Sequence, residues 1–125
     1  MTTLLWFRQD LRLADNPALV AAVQAGAPIL PVYVYDTSLP WAPGAASRWW
    51  LHHSLVALDA QLRQRYGVGL SVYHGPAADL IPPLVRTHHC TQVHWNRLYE
   101  PAAIARDTAL KATLQAAGIT VHSHN

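Results

Sequence analysis

The chain alternates short apolar runs with longer stretches in which apolar residues recur every three or four positions. Leu4-Leu5-Trp6-Phe7 is continuously apolar, the pattern of a strand buried on both faces. Asn16-Pro17 reads as a helix cap plus first helical residue, with Gly26 as the stop. Between them Ala18, Leu19, Ala22 and Val23 share one face. Ile29 to Tyr35 is β-branched and aromatic, a second strand whose start is blurred by Pro28 and Pro31. Pro40, Pro43 and Gly44 make Asp36 to Ala46 a loop. A long helix is predicted from Ser47, with Leu51, Leu55, Leu58 and Leu62 as its apolar stripe and Gly67 and Gly69 as its end. Leu70 to Tyr73 is a third strand, and Gly75-Pro76 a turn. Ala77 to His88 is helical, with Pro82-Pro83 expected to kink or split it. Gln92 to Trp95 is a fourth strand. Pro101 opens a last helix on which Ile104, Leu110 and Leu114 face inward, and Gly118 closes it. Ile119 to His122 is a fifth strand.

Strands and helices thus alternate strictly, which predicts an α/β fold. Right-handed crossovers place the strands in one five-stranded parallel sheet, Rossmann-like, with helices on both faces. No repeat, low-complexity segment or second domain is visible, so residues 1–125 read as one domain. Ligands of such folds gather beyond the carboxyl ends of the strands. Here those ends are Arg8, Tyr35-Asp36, His74 and Asn96.

Composition narrows the class. Of 125 residues, 51% are hydrophobic and 13% charged, which excludes a disordered charged tail. No 18-residue apolar span exists and the N-terminal segment lacks a signal-peptide layout, so a soluble, cytoplasmic protein without a membrane partner is expected. Cys90 is the single cysteine, which excludes an internal disulfide. A net charge of +2 is too weak to argue nucleic-acid binding. Five Trp and few charges suggest a surface that packs against something else.

Most catalytic signatures are absent. There is no G-x-G-x-x-G after the first strand, no G-x-x-x-x-G-K-[ST] and no G-x-S-x-G. The adjacent pairs His52-His53 and His88-His89 lack metal-ligand spacing, and no metal site is expected. Cys90 has only His89 as a neighbouring base and reads as a buried thiol. The densest polar cluster is Arg8, Asp10, Arg12, Asp15 and Asn16: either a locally paired loop capping the next helix, or a scaffold at the ligand edge. Arg106-Asp107 on the last helix reads as an ion pair locking that helix to the first loop. Asn96 follows the fourth strand as turn chemistry. Glu100, the only Glu, either caps the last helix or faces a ligand. Trp49 and Trp50 are expected as core and interface bulk.

Residues 6 to 19, Trp-Phe-Arg-Gln-Asp-Leu-Arg-Leu-Ala-Asp-Asn-Pro-Ala-Leu, resemble the opening signature of the DNA photolyase/cryptochrome family. Ser47-Arg48-Trp49-Trp50 with Ser54-Leu55 and Leu58-Asp59 resembles that family's second helix. Trp95-Asn96, Tyr99-Glu100-Pro101, Arg106-Asp107 and Ala117-Gly118-Ile119 resemble its last αβ unit. The resemblance runs over essentially the whole chain.

It implies an N-terminal α/β domain that binds an antenna chromophore and packs on a helical, FAD-binding C-terminal domain outside this chain. That domain would hold the flavin and the damaged DNA, where the excited flavin donates an electron to a cyclobutane pyrimidine dimer. No catalytic residue is therefore expected within residues 1–125. The whole protein would be a photolyase, a carbon–carbon lyase, while the domain alone would be inactive. Tyr35, Asp36, Arg48, Asn96 and Glu100 fall where the antenna's anchors would lie. The antenna itself stays open between folate, deazaflavin and flavin. Ala102 and Ala103 stand where folate-binding members carry Asn-Glu, and Leu98 where deazaflavin-type members carry an acid. A cryptochrome blue-light photoreceptor domain and a free-standing nucleotide-binding α/β module are the alternatives.

Overall fold

A computed structural model describes residues 1–37 and 45–125, with only the backbone of 45–47. The expected loop around Pro40, Trp41, Pro43 and Gly44 lies outside the described residues. Nine elements follow in strict alternation: β1 (Thr2–Phe7), α1 (Pro17–Gln24), β2 (Ile29–Tyr35), α2 (Ala45–Tyr66), β3 (Ser71–His74), α3 (Ala77–Thr87), β4 (Cys90–Asn96), α4 (Pro101–Ala116) and β5 (Thr120–His124). The five strands form one parallel sheet in the order β3-β2-β1-β4-β5. The expected architecture holds, and strand bounds shift by one or two residues. No helix of the described residues is long and apolar enough to cross a membrane.

The central strand explains its own composition. Leu4, Leu5, Trp6 and Phe7 are all buried because β1 has a strand on each side and a helical layer on each face. Alternate residues divide between two cores. Leu4 and Trp6 join Val93 and Trp95 of β4 under α3 and α4. Leu5 and Phe7 pack under Ala18, Leu19 and Ala22 of α1 and Leu58 and Leu62 of α2.

Helix geometry corrects several expectations. Asn16 caps α1 as expected, its side chain accepting from Leu19 N at 3.1 Å, with Pro17 in the first turn. Val23 is exposed, however, because it lies about 100° around the helix from Ala22, at the rim of the buried stripe. The same rotation puts Ala103 rather than Ile104 in line with Leu110 and Leu114 on α4, so Ile104 is exposed. Of the leucine stripe on α2, Leu58 and Leu62 are buried, while Leu51 and Leu55 are half-buried. Trp49 and Trp50, expected as bulk in a core or interface, stand 55% and 66% exposed in this chain. Pro82 and Pro83 do not split α3: it runs through both as one helix, held by the buried stripe Ala77, Ile81 and Val85. Gly26 (φ 81°) and Gly118 (φ 84°) close α1 and α4 in the left-handed conformation that glycine adopts without a Cβ clash.

Candidate functional site

The parallel sheet sends every strand's carboxyl end to one edge. The strand order reverses between β1 and β4, where a crevice opens because the two crossovers leave in opposite directions. Gln9, Asp10 and Arg12 after β1 and Asn96, Arg97 and Leu98 at the end of β4 line a cleft there of about 160 Å³. Asp10 and Asn96 are its fixed members. Asp10 accepts from the Arg8 backbone N–H at 2.8 Å and from the Asn96 side-chain amide. Asn96 also donates to Asn16 Oδ1 at 2.7 Å and accepts from the Ala18 N–H at 3.0 Å. Asn16 Nδ2 in turn donates to the Arg12 carbonyl at 3.0 Å. Asn96 is therefore more than turn chemistry: it ties β4 to the first loop and to the start of α1.

A second network crosses beneath this edge. Asp107 pairs with both Arg8 and Arg106, the latter at 3.1 Å, and Arg106 pairs with Asp36 at 3.0 Å. Asp36 also accepts from the Ala77 N–H at 3.1 Å, so β2, α3 and α4 meet on its carboxylate. The lock between the last helix and the first loop is present, with Arg8 as its other half. Both guanidiniums lie over the Trp6 ring, Arg8 at 4.5 Å and Arg106 at 4.9 Å, and Arg8 also faces Trp95 at 5.6 Å. Burial lowers the Arg8 pKa, with Asp107 acting in the opposite direction. Nε and Nη1 of Arg8 and Nη2 of Arg106 are buried donors without a partner among the described residues. Desolvated donors of this kind favour an acceptor oxygen.

The five expected anchors separate into two groups. Tyr35, Asp36 and Asn96 belong to the strand ends. Tyr35 stacks on His74, with ring centroids 5.2 Å apart and planes 11° apart, giving a flat aromatic wall. Asp36 and Asn96 are held by the networks just described, on opposite sides of β1. Arg48 stands exposed near the start of α2, and Glu100 is exposed before α4, where its side chain makes no capping bond. Neither joins these networks. Sequence reasoning passed over Arg106 as an edge residue, although its neighbour and its charge were visible. It also passed over a histidine group, His94, His122 and His124, whose signal was the His-x-His alternation of a strand. Among the described residues no group of three His, Cys, Asp or Glu could hold a metal ion.

A protein-family model described as DNA photolyase matches residues 3–125. The deoxyribodipyrimidine photo-lyase of Agrobacterium fabrum is 45% identical over 121 residues, covering 96% of this chain and 25% of that protein. Cryptochrome-1 of Arabidopsis thaliana is 39% identical over 128 residues, covering 98% of this chain and 18% of that protein. A photolyase from Sulfolobus tokodaii, solved with two FAD molecules and described as implicating a novel light-harvesting cofactor, matches with TM-score 0.86 at 27% identity. That match covers 100% of this chain and 29% of the archaeal one. The chain thus spans a quarter or less of the length of these two curated relatives.

Proposed function

The chain belongs to the DNA photolyase family, and from that membership we propose that it is the antenna-binding N-terminal domain of a light-driven deoxyribodipyrimidine photolyase. In this reading the carboxyl edge of the sheet holds a planar chromophore, and the exposed Trp49 and Trp50 pack against a helical domain that holds FAD and the damaged DNA. Tyr35, Asp36, Arg48, Asn96 and Glu100 would hold the chromophore. A bound antenna would supply light absorption and energy transfer to the flavin. Folate, deazaflavin and flavin all have the flat ring and carbonyl oxygens that this edge suits.

The observation that carries the reading is the flat Tyr35–His74 wall at the carboxyl edge of the sheet, next to Asp36. A planar ring stacks on such a wall. The cleft of about 160 Å³ between β1 and β4, which Tyr35 and His74 do not line, is smaller than the ~300 Å³ at which ligand pockets begin, so the facing domain would complete an enclosure along this edge. Asp36 and Asn96 would act mainly by holding the edge in shape, while exposed Arg48 and Glu100 remain open to contact a ligand.

The test is the absorbance of the purified whole protein before and after FAD removal. A second chromophore should remain, and Arg48→Ala and Glu100→Ala should each lower its occupancy. Unchanged occupancy in both variants rejects the placement. Residues 1–125 alone, given light and FAD, should repair no cyclobutane dimers. The 39% identity to a plant cryptochrome supports a second reading, a blue-light photoreceptor domain. Failure of the whole protein to split dimers in light, with flavin photoreduction intact, favours that one.

A further inference from the structure

His94, His122 and His124 form a ladder across β4 and β5 that plays no part in the antenna reading. In the parallel register His94 lies opposite His122, and Asn96 opposite His124. The His94 ring stacks on His122 with centroids 4.5 Å apart and planes 16° apart. Its rings meet His124 differently: the planes are 8° apart, the centroids 5.3 Å apart, and His94 Nδ1 lies 3.0 Å from His124 Nε2. That is an edge-to-edge hydrogen bond between nearly coplanar imidazoles.

Chemistry sets the direction of this chain of bonds. The Gln92 Oε1 only accepts, and it lies 3.0 Å from His94 Nε2, so His94 carries its hydrogen on Nε2. His94 Nδ1 is then a bare acceptor, and His124 Nε2 donates to it. Both rings are neutral in this arrangement. A single proton added at His94 Nδ1 can be shared once His124 turns to its Nδ1–H tautomer, but it places a charge in a buried site; a second proton on the pair sets two N–H groups against each other and breaks the link from β4 to β5.

The surroundings offer that proton little stabilisation. His94 is only 3% exposed. On this face α1 packs on β4 and β5, and its sequence Pro17–Gln24 has no titratable side chain. β1 presents Leu5 opposite His94. Positive charge comes from Arg97, which also bonds Ser123 Oγ at 3.2 Å and Asn125 Oδ1 at 3.2 Å. Asp10 reaches this end of β4, but its carboxylate is engaged by Asn96, Asn16 and the Arg8 backbone. Burial, then His122 and His124, lower the His94 pKa to about 4, and burial with His122 and Arg97 lowers that of His124.

We propose that the buried cluster of His94, His122 and His124 forms an acid-sensitive latch that holds the edge strand β5 on the sheet while it is neutral and releases it locally as the cluster takes up protons. The strand can open alone because it pairs with β4 on one side only. Opening would uncover Val121 and the rim of the core it shares with Trp95 and Leu114.

Amide hydrogen exchange across a pH series, corrected for intrinsic rates, tests this. Between pH 7 and pH 4.5, β5 amides should lose about 50- to 100-fold in protection relative to those of Leu4–Phe7 in β1, the ratio set by an imidazole that titrates normally when open and near 4 when closed. Parallel loss in β1 and β5, or no loss in β5, overturns the proposal. His94→Leu should flatten the β5 profile to within about threefold; a retained slope overturns it. Imidazole ¹⁵N spectra of the unaltered protein decide the matter even if that variant does not fold. His94 should carry hydrogen on Nε2 alone at pH 7 and stay neutral at pH 5. An Nδ1–H tautomer, or an imidazolium at pH 5, overturns it.

Discussion

Replacing Asp107 by Asn removes one negative charge from between two buried guanidiniums. In the intact protein Asp107 receives Arg8 through Oδ2 and Arg106 through Oδ1. The side chains of Arg8, Arg106 and Asp107 are 3%, 9% and 13% exposed, so solvent screens the pairs poorly. Arg106 keeps Asp36 after the substitution, but Arg8 loses the carboxylate it is ion-paired with, and among the described residues its Nε and Nη1 are already unpaired. Breaking a buried pair from one side costs about 3–5 kcal/mol. Asn retains one acceptor oxygen, and the Trp6 and Trp95 faces still receive the Arg8 cation, so a loss of about 2–3 kcal/mol is expected. Domains of this size are stable by about 5–15 kcal/mol, so the effect is a large share of the total. Urea denaturation at pH 7 should show a lower midpoint with an unchanged slope. Arg8→Leu combined with Asp107→Asn should cost less than the sum of the single changes, by at least about 1 kcal/mol. A single-variant loss below about 0.5 kcal/mol, or strict additivity, refutes the view that this carboxylate neutralises Arg8.

Three further outcomes follow from local geometry. Asn16→Ala removes the cap of α1 and its bond with Asn96, and should cost at least about 1 kcal/mol by the same denaturation assay; a neutral effect would show that the cap is dispensable. His89 sits at φ 54° and, among the described residues, is held by backbone bonds to Thr2 and Arg86, so His89→Gly should raise stability by about 1 kcal/mol, read as a higher melting temperature. Burial pushes the Cys90 thiol up to about 11, so at pH 8 the native protein should react with a thiol reagent at least about 100-fold more slowly than the urea-unfolded chain. Equal rates would place Cys90 outside the core.

Much of the fold was legible because its causes are local. The continuous run Leu4 to Phe7 announced a strand covered on both faces, and β1 is the middle strand of five. Asn16-Pro17 announced the start of α1, and Gly118 the end of α4. The faces were less legible: Val23 and Ile104 are apolar at nearly the right spacing, yet a rotation of about 100° takes each to the surface. The candidate site divides the same way. Strand ends point to a shared edge whenever a sheet is parallel, so Tyr35, Asp36 and Asn96 could be named from the alternation. Whether each holds the edge together or stays open to solvent depends on partners far away in the chain.

The sequence alone determined the alternation of strands and helices, the parallel sheet and the family signature, because caps, apolar runs and glycine stops act within a few residues. Tertiary structure alone decided the pairings. Arg8 finds Asp107 across 99 residues, Asn96 finds Asp10 across 86, and His94 finds His124 across 30. Each pairing exists because strand order brings distant strand ends side by side, and a buried charge or amide keeps its place there only where a partner answers it.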